Sequence, residues 1–246
     1  KFSATALTIQ PNYFQACMLQ KVKMVMLKAV LFGSIGTLVE TSELQRRAFN
    51  QAFLEAGLIW SWDVDSYRRL LTKSGGRERI QDFANQCSID VDVSELHSRK
   101  TEIFEKMMTR EILPLRQGVA SVISYAKHHN LKLGFVTTTS ETNVDAVFCA
   151  LGDQISRADF NFIGNDIIAS NPKPSPDIYQ IAMSKLHLDA QDCIAIEDTA
   201  SSMKAALSAN IRCIAFPGAF AQGNDFNGAS VVTSELSLVH LQDSRE

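Results

Sequence analysis

The second half of the chain alternates short apolar runs with amphipathic stretches, and this alternation restricts the possible folds more than any other feature. The pattern predicts helices near 117–129, 141–151, 176–187 and 200–209, and strands at 28–33, 132–137, 159–164, 193–198 and 211–216. Strands separated by helices of about 10–15 residues are typical of a parallel sheet covered by helices on both faces. We therefore predict an α/β fold with a Rossmann-like, doubly wound parallel sheet as its core.

A long helical stretch interrupts this alternation between the first and second strands. The segment 42–57 places Leu44, Ala48 and Phe49 on one helical face, and further helices are predicted near 64–72, 77–86 and 93–111. No convincing strand occurs in this stretch, so we predict an α-helical cap inserted into the core. The predicted organisation is an N-terminal extension at 1–25, a core formed by 26–40 and 114–246, and a cap at 41–113.

Composition and charge exclude several classes of protein. A hydrophobic content of 46% and a charged content of 21% are those of a globular domain, and a net charge of −3 argues against a nucleic-acid partner. The five cysteines are scattered without a CxxC pair, which predicts a reducing compartment, either the cytoplasm or an organellar matrix or stroma. No apolar run reaches the length of a transmembrane helix.

The extension at 1–25 contains lysines but no arginine and no acidic residue. It could be an expression remnant, part of an organelle-targeting segment, or an arm. Phe14, Cys17, Met18 and Val22 recur at helical spacing, so the segment either packs on its own domain or docks on a protein partner.

Polar residues follow several of the predicted strands and should meet at one edge of the sheet, where parallel α/β sheets bind ligands. These residues are Gly36, Thr37, Thr137, Thr138, Lys173, Glu197 and Asp198. Hydroxyl groups and a lysine suit a phosphate, and paired carboxylates suit Mg²⁺. Each also has a simpler interpretation, because a lysine between prolines is usually solvated and Asp198 could cap the following helix.

Several ordered segments resemble one family more specifically. They are 44-LQRRAFNQAFLEAGL-58, 73-KSGGRERI-80, 114-PLRQGV-119, 136-VTTTSETNVDAV-147, 172-PKPSPDIY-179 and 197-EDTASSMKAA-206. Together they resemble the haloacid dehalogenase-like superfamily, and within it the CbbY-like group of sugar-phosphate phosphatases. The resemblance implies a Rossmann-like core, a helical cap inserted after the first strand, and Mg²⁺.

The resemblance also implies two aspartates that this chain lacks. In the family, one aspartate attacks phosphorus and a second, two residues later, acts as general acid and base. The corresponding positions here are Gly33 and Ile35, which can do neither. Loss of such a catalytic unit costs roughly 10⁶-fold in rate in a well-measured case. By the same resemblance, the threonines and Lys173 would hold phosphate, while Glu197 and Asp198 would bind Mg²⁺ only weakly, so no cofactor is expected unless this residual site still binds it.

The cap carries a segment that resembles the family's substrate-recognition loop. Its candidate residues are Lys73, Gly75, Gly76, Arg77 and Arg79. Glycines allow close backbone approach, and the cations could grip the distal phosphate of a sugar bisphosphate. An ordinary glycine turn followed by a charged helix start is the alternative.

Three functions remain open from sequence alone. The first is a catalytically inactive pseudoenzyme kept as a structural or interaction subunit, in an organellar assembly if residues 1–25 are an arm. The second is an Mg²⁺-dependent phosphatase or phosphomutase with an unrecognised nucleophile. The third is a phosphometabolite binder without turnover. We favour the first, since fold analogy alone does not establish activity.

Overall fold

The computed structural model describes residues 27–33, 35–71, 75–110, 112–221 and 223–242 of the 246-residue chain. Two sequence predictions therefore lie outside the described residues: the extension at 1–25 and the cap-loop residue Lys73.

Within the described residues, one six-stranded sheet forms the centre of the fold, and all of its strand pairs are parallel. Its strands are β1 (Ala29–Phe32), β2 (Lys132–Phe135), β3 (Phe162–Ile163), β4 (Cys193–Glu197), β5 (Arg212–Ala215) and β6 (Val231–Val232). The strand order is β3-β2-β1-β4-β5-β6. Successive strands are added in one direction from β1 to β3 and in the opposite direction from β4 to β6, which is the doubly wound order. The predicted α/β fold class is confirmed.

Helices cover both faces of this sheet, and further helices form the inserted cap. The helices are α1 (Ile35–Leu38), α2 (Ser42–Glu55), α3 (Val64–Leu70), α4 (Gly76–Cys87), α5 (Val93–Met108), α6 (Val119–His128), α7 (Glu141–Leu151), α8 (Asp177–Leu186) and α9 (Ala200–Ser208). Alternate residues of β1 point to opposite faces. Val30 and Phe32 belong to the core shared with α6, α7 and the cap, while Ala29 and Leu31 belong to the core shared with α8 and α9.

The cap is made of α2 to α5, between β1 and β2 in the chain. Its interior is aromatic: the ring centroids of Phe53 and Trp62 lie 4.7 Å apart, and those of Phe49 and Trp62 lie 4.9 Å apart. Burial of large aromatic side chains holds such a small helical layer together. The inserted α-helical cap is therefore observed, while the domain boundaries stay a prediction.

Three local features differ from the sequence prediction. The strand predicted at 159–164 is only the two residues Phe162–Ile163, because Arg157–Asp159 forms a 3₁₀ turn closed by reciprocal capping between Ser156 and Asp159. The short edge strand β6 was not predicted, since two residues carry no periodicity. The loop after β1 contains the single helical turn Ile35–Leu38.

Two sequence predictions concern the environment of the protein: a reducing compartment and no transmembrane helix. Cys87, Cys149, Cys193 and Cys213 are free thiols. Within the described ranges, no helix combines the length and the apolar character that a membrane crossing requires.

Candidate functional site

The candidate site lies where the strand order reverses, at the carboxyl ends of β1 and β4. The two strands run in register, with Phe32 opposite Ile196. The backbone N–H of Gly33 donates to the Ile196 carbonyl at 2.9 Å. This pairing places Gly33 directly beside Glu197, the last residue of β4.

The Glu197 side chain fills the space that any side chain at position 33 would need. A Cβ atom built on Gly33 would overlap the carboxyl carbon and both carboxyl oxygens of Glu197. Glu197 is fully buried. A carboxylate from β4 thus lies where a side chain of residue 33 would be.

Lys173 reaches the same point from the loop before α8. Its Nζ lies 2.5 Å from Glu197 Oε1 and also donates to the Gly33 carbonyl. The side chain is only 7% exposed, so the interpretation of Lys173 as a solvated loop lysine is wrong. Lys173 is a buried ammonium that is neutralised by a carboxylate of the chain itself.

Tyr179, on α8, completes this cluster. Its hydroxyl donates to Glu197 Oε1 at 2.6 Å, and its ring centroid lies 5.0 Å from Lys173 Nζ. Burial raises the pKa of Tyr179 well above its ordinary value of 10.0, so the phenol keeps its proton and acts as a donor. We call Lys173, Tyr179 and Glu197 the internal ion-pair cluster.

The charge state of Glu197 reflects two opposing effects. Burial raises the pKa of Glu197, whereas the Lys173 ammonium and the Tyr179 hydrogen bond lower it. Its second oxygen, Oε2, is buried without a hydrogen-bond partner. A buried carboxylate tolerates this only because the first oxygen receives two strong donors.

Asp198 lies against the loop after β1. A Cβ on Gly36 would overlap its Oδ2, so glycine is required there for this close approach. The interpretation of Asp198 as a helix cap is wrong, since Thr199 is the N-cap of α9 and accepts from the Ser202 N–H at 3.2 Å. The Asp198 carboxylate therefore belongs to the site.

The remaining predicted core residues lie around this cluster. Thr37 is fully buried in α1, and Thr137 is buried just after β2, where its Oγ1 accepts from the Thr139 N–H at 3.2 Å. Thr138 is half-buried in the same loop. Ile35 packs against the hydrophobic core. The structure thus brings the candidate residues of several strand ends to one edge of the sheet.

A divalent cation does not fit these residues as they stand. Gly33 offers only its carbonyl oxygen, and Glu197 Oε1 already accepts from Lys173 and Tyr179, so Glu197 Oε2 and the Asp198 carboxylate are the other acidic oxygens that a cation could approach. An ammonium 2.5 Å from Glu197 Oε1 repels a second cation. Among the described residues, no group of three or more His, Cys, Asp or Glu side chains could hold a metal ion.

The described residues of the predicted substrate-recognition loop, at 75–79, are not all oriented as the sequence predicts. Gly75 has a φ of +98°, and a Cβ on Gly76 would overlap the His97 ring, so both positions favour glycine. Arg77 is exposed. Arg79 is buried in the cap, where Nε donates to the Leu70 carbonyl at 3.0 Å. A role for Arg79 in gripping a phosphate stays a prediction, and this arrangement does not favour it.

Sequence reasoning missed two residues that hold this region. Tyr179 was visible only as part of a family-like segment. Arg116 donates to the carbonyls of Gly36, Phe216 and Pro217 at 2.6, 2.7 and 2.8 Å, and thereby ties the loop after β1 to the end of β5. Burial lowers the pKa of the Arg116 guanidinium, an effect that nearby acidic groups oppose. Arg116, like Tyr179, was visible only as part of a family-like segment, at 114–119.

Comparison with known proteins places this geometry in context. The family model described as haloacid dehalogenase-like hydrolase matches residues 30–216. Protein CbbY of Cereibacter sphaeroides is 39% identical over 207 residues, which cover 83% of this chain and 90% of that protein. The crystal structure of CbbY from Rhodobacter sphaeroides in complex with phosphate is 38% identical with a TM-score of 0.76, covering 85% of this chain and 95% of that one. A mutant of the latter, crystallised in complex with xylulose-(1,5)bisphosphate, gives the same values.

Proposed function

We propose a function from one premise: the chain belongs to the haloacid dehalogenase-like hydrolase family. This membership confirms the resemblance inferred from the sequence. Our proposal is that the chain is a non-catalytic member of the family, retained as a structural or interaction subunit. The described residues form the six-stranded sheet and the inserted cap, whereas the two positions that would carry the family's chemistry are Gly33 and Ile35.

One observation carries this proposal. The Glu197 carboxylate occupies the space of a side chain at position 33 and is paired with Lys173 at 2.5 Å. A nucleophile must be free to approach phosphorus, and Glu197 is fully buried, so it is not a replacement for the lost aspartate. Lys173, the residue that would neutralise a phosphate, is already neutralised.

A hydrolase remains the main competing function. It is favoured by the 38% identity to a protein crystallised with phosphate and with xylulose-(1,5)bisphosphate. Phosphate binding without turnover is the third candidate, and it is favoured by the retained residues Thr137 and Lys173. In either case the phosphate would share the Lys173 ammonium with Glu197 or displace Glu197 from it, because that ammonium already donates to the Gly33 carbonyl and to Glu197.

A phosphatase assay distinguishes these functions. Purified wild-type chain is incubated with Mg²⁺ and a panel of sugar phosphates that includes xylulose-1,5-bisphosphate. We expect release of inorganic phosphate no faster than from the matched Lys173→Ala variant, whose residual rate measures contamination. Turnover by the wild type that Lys173→Ala abolishes would revive the hydrolase.

Introducing aspartates at positions 33 and 35 tests whether the absence of these two carboxylates is the only change that prevents catalysis. We expect the double variant Gly33→Asp, Ile35→Asp to gain measurable Mg²⁺-dependent phosphatase activity, because the new carboxylate at position 33 would give Lys173 a counter-ion and release Glu197. No gain in a folded double variant would mean that the pocket has changed as well.

The interaction role makes its own prediction. A structural subunit should elute from native extracts at a mass well above that of the single chain. A strictly monomeric species in such extracts would contradict the interaction role while leaving the loss of catalysis intact.

A further inference from the structure

The internal ion-pair cluster contains a positive charge at a place where the family resemblance implies a metal. Lys173 Nζ contacts two oxygens, the Gly33 carbonyl at the end of β1 and Glu197 Oε1 at the end of β4. These are the two strand ends that would supply magnesium ligands in an intact family member. Here a single ammonium bridges them.

The cluster is locally balanced in charge. Lys173 supplies one positive charge, Glu197 supplies one negative charge, and the neutral Tyr179 phenol adds a hydrogen bond. The Lys173 and Glu197 side chains are 7% and 0% exposed, so water screens their attraction little. A dication at the unpartnered Glu197 Oε2 would lie close to the Lys173 ammonium that holds Oε1 and would be repelled by it.

We propose that the Lys173 ammonium is the resident cation of this site, in place of the divalent metal of the family, and that the chain folds and stays stable without binding Mg²⁺ there. Glu197 is then a structural counter-ion, not a metal ligand. Tyr179 is a positioning residue, which keeps Oε1 turned toward Lys173. This proposal concerns which cation occupies the site, and it goes beyond the proposed role as a structural or interaction subunit.

Removing the ammonium alone and removing both charges should have different consequences for metal binding. Lys173→Met leaves the fully buried Glu197 carboxylate without its neutralising cation, which is costly in a buried site. The oxygens freed from the ammonium then attract a hard dication. The double variant Lys173→Met, Glu197→Gln removes both charges and keeps an oxygen for the Tyr179 hydroxyl.

Thermal unfolding with millimolar MgCl₂, against NaCl of equal ionic strength, tests the proposal. We expect no magnesium-specific change in the Tm of the wild type. Lys173→Met should lower the Tm by several degrees, and Mg²⁺ should recover part of that loss. The double variant should melt closer to the wild type and should not respond to Mg²⁺. Lys185→Met, an exposed lysine on α8, controls for the loss of one positive charge.

Two results would overturn the proposal. One is a magnesium-specific rise in the wild-type Tm, matched by heat of Mg²⁺ binding in isothermal titration calorimetry that Glu197→Gln abolishes. The other is a double variant no more stable than Lys173→Met. If Lys173→Met does not fold, the wild-type titration and the double variant still decide. A wild type that binds Mg²⁺ but turns over no sugar phosphate refutes this proposal and leaves the non-catalytic function standing.

Discussion

Replacing Lys100 with methionine is a quantitative test of the electrostatics inside the cap. Lys100 lies on α5 and is only 7% exposed, and its Nζ donates to Gln45 Oε1. The same atom lies 4.8 Å from the ring centroid of Phe49. The pKa of Lys100 is lowered from 10.5 to about 7, mainly by burial and also by the Arg79 charge, while Glu105 opposes the change.

The sign of the pH dependence follows from these two pKa values. Between about 7 and 10.5 the unfolded chain binds more protons at Lys100 than the folded chain, so the stability of the wild type rises with pH across that window. The slope is at most about 1.4 kcal/mol per pH unit. Below the folded pKa both states are protonated, and the contribution is constant. At pH near 7 the lowered pKa corresponds to a cost of about 4 kcal/mol.

Methionine keeps the apolar stem of the side chain and removes its charge. Removing the charge should recover the cost of about 4 kcal/mol, and losing the hydrogen bond to Gln45 should cost about 1 kcal/mol. The unfolding free energy of Lys100→Met should therefore be roughly 3 kcal/mol higher than that of the wild type at about pH 7. This gain should shrink to nearly nothing at about pH 10, because that pH is close to the unfolded pKa of 10.5, so the remaining cost of burying a neutral Lys100 is only about 1 kcal/mol and the lost hydrogen bond cancels it.

Urea unfolding of both proteins across that pH range measures the difference directly. Titrations of other groups occur in both proteins and cancel. Lys106→Met, at an exposed position on the same helix, is the matched control. A stability difference that stays constant with pH, or a variant less stable than the wild type at neutral pH, would refute the reasoning.

Three further substitutions test the contacts around the site by urea unfolding. Gly33→Ala should destabilise the fold by roughly 1–3 kcal/mol because its Cβ displaces Glu197 from Lys173. Gly33→Asp should cost less, since its carboxylate can replace the one displaced, and equal losses would argue against the ion pair. Arg116→Met should cost roughly 2–5 kcal/mol because three buried carbonyls lose their donor. A loss below about 1 kcal/mol would mean that water satisfies these carbonyls.

The sheet and its covering helices could be predicted from sequence because their signals are local. Strand β1 is an unbroken apolar run, and α2 repeats Leu44, Ala48 and Phe49 at helical spacing. Buried parallel strands and amphipathic helices owe their patterns to the same burial that stabilises them. Elements of two residues, such as β6, are too short for any pattern and depend on pairing with β5.

Most residues of the candidate site could be predicted from sequence, but the contacts between their side chains could not. Strand order alone brings Gly33, Lys173 and Glu197 to one edge, which the alternation of strands and helices already implies. That Glu197 turns into the space above Gly33 depends on tertiary packing, including Tyr179, which is distant from Gly33 in sequence. Arg79 shows the same limit: its charge suggested a ligand contact, whereas its side chain lies in the aromatic interior of the cap.

The retained motif residues have a physical explanation that does not require catalysis. Removing one partner of a buried ion pair typically costs about 3–5 kcal/mol, because the other charge is left unneutralised. A chain with glycine at position 33 must still neutralise Lys173, and Glu197 does so. Selection for stability alone would therefore preserve Lys173 and Glu197 together. Their presence is then evidence for charge balance at the end of β1, and evidence for phosphate or metal binding only if one of them can be shown to leave the other.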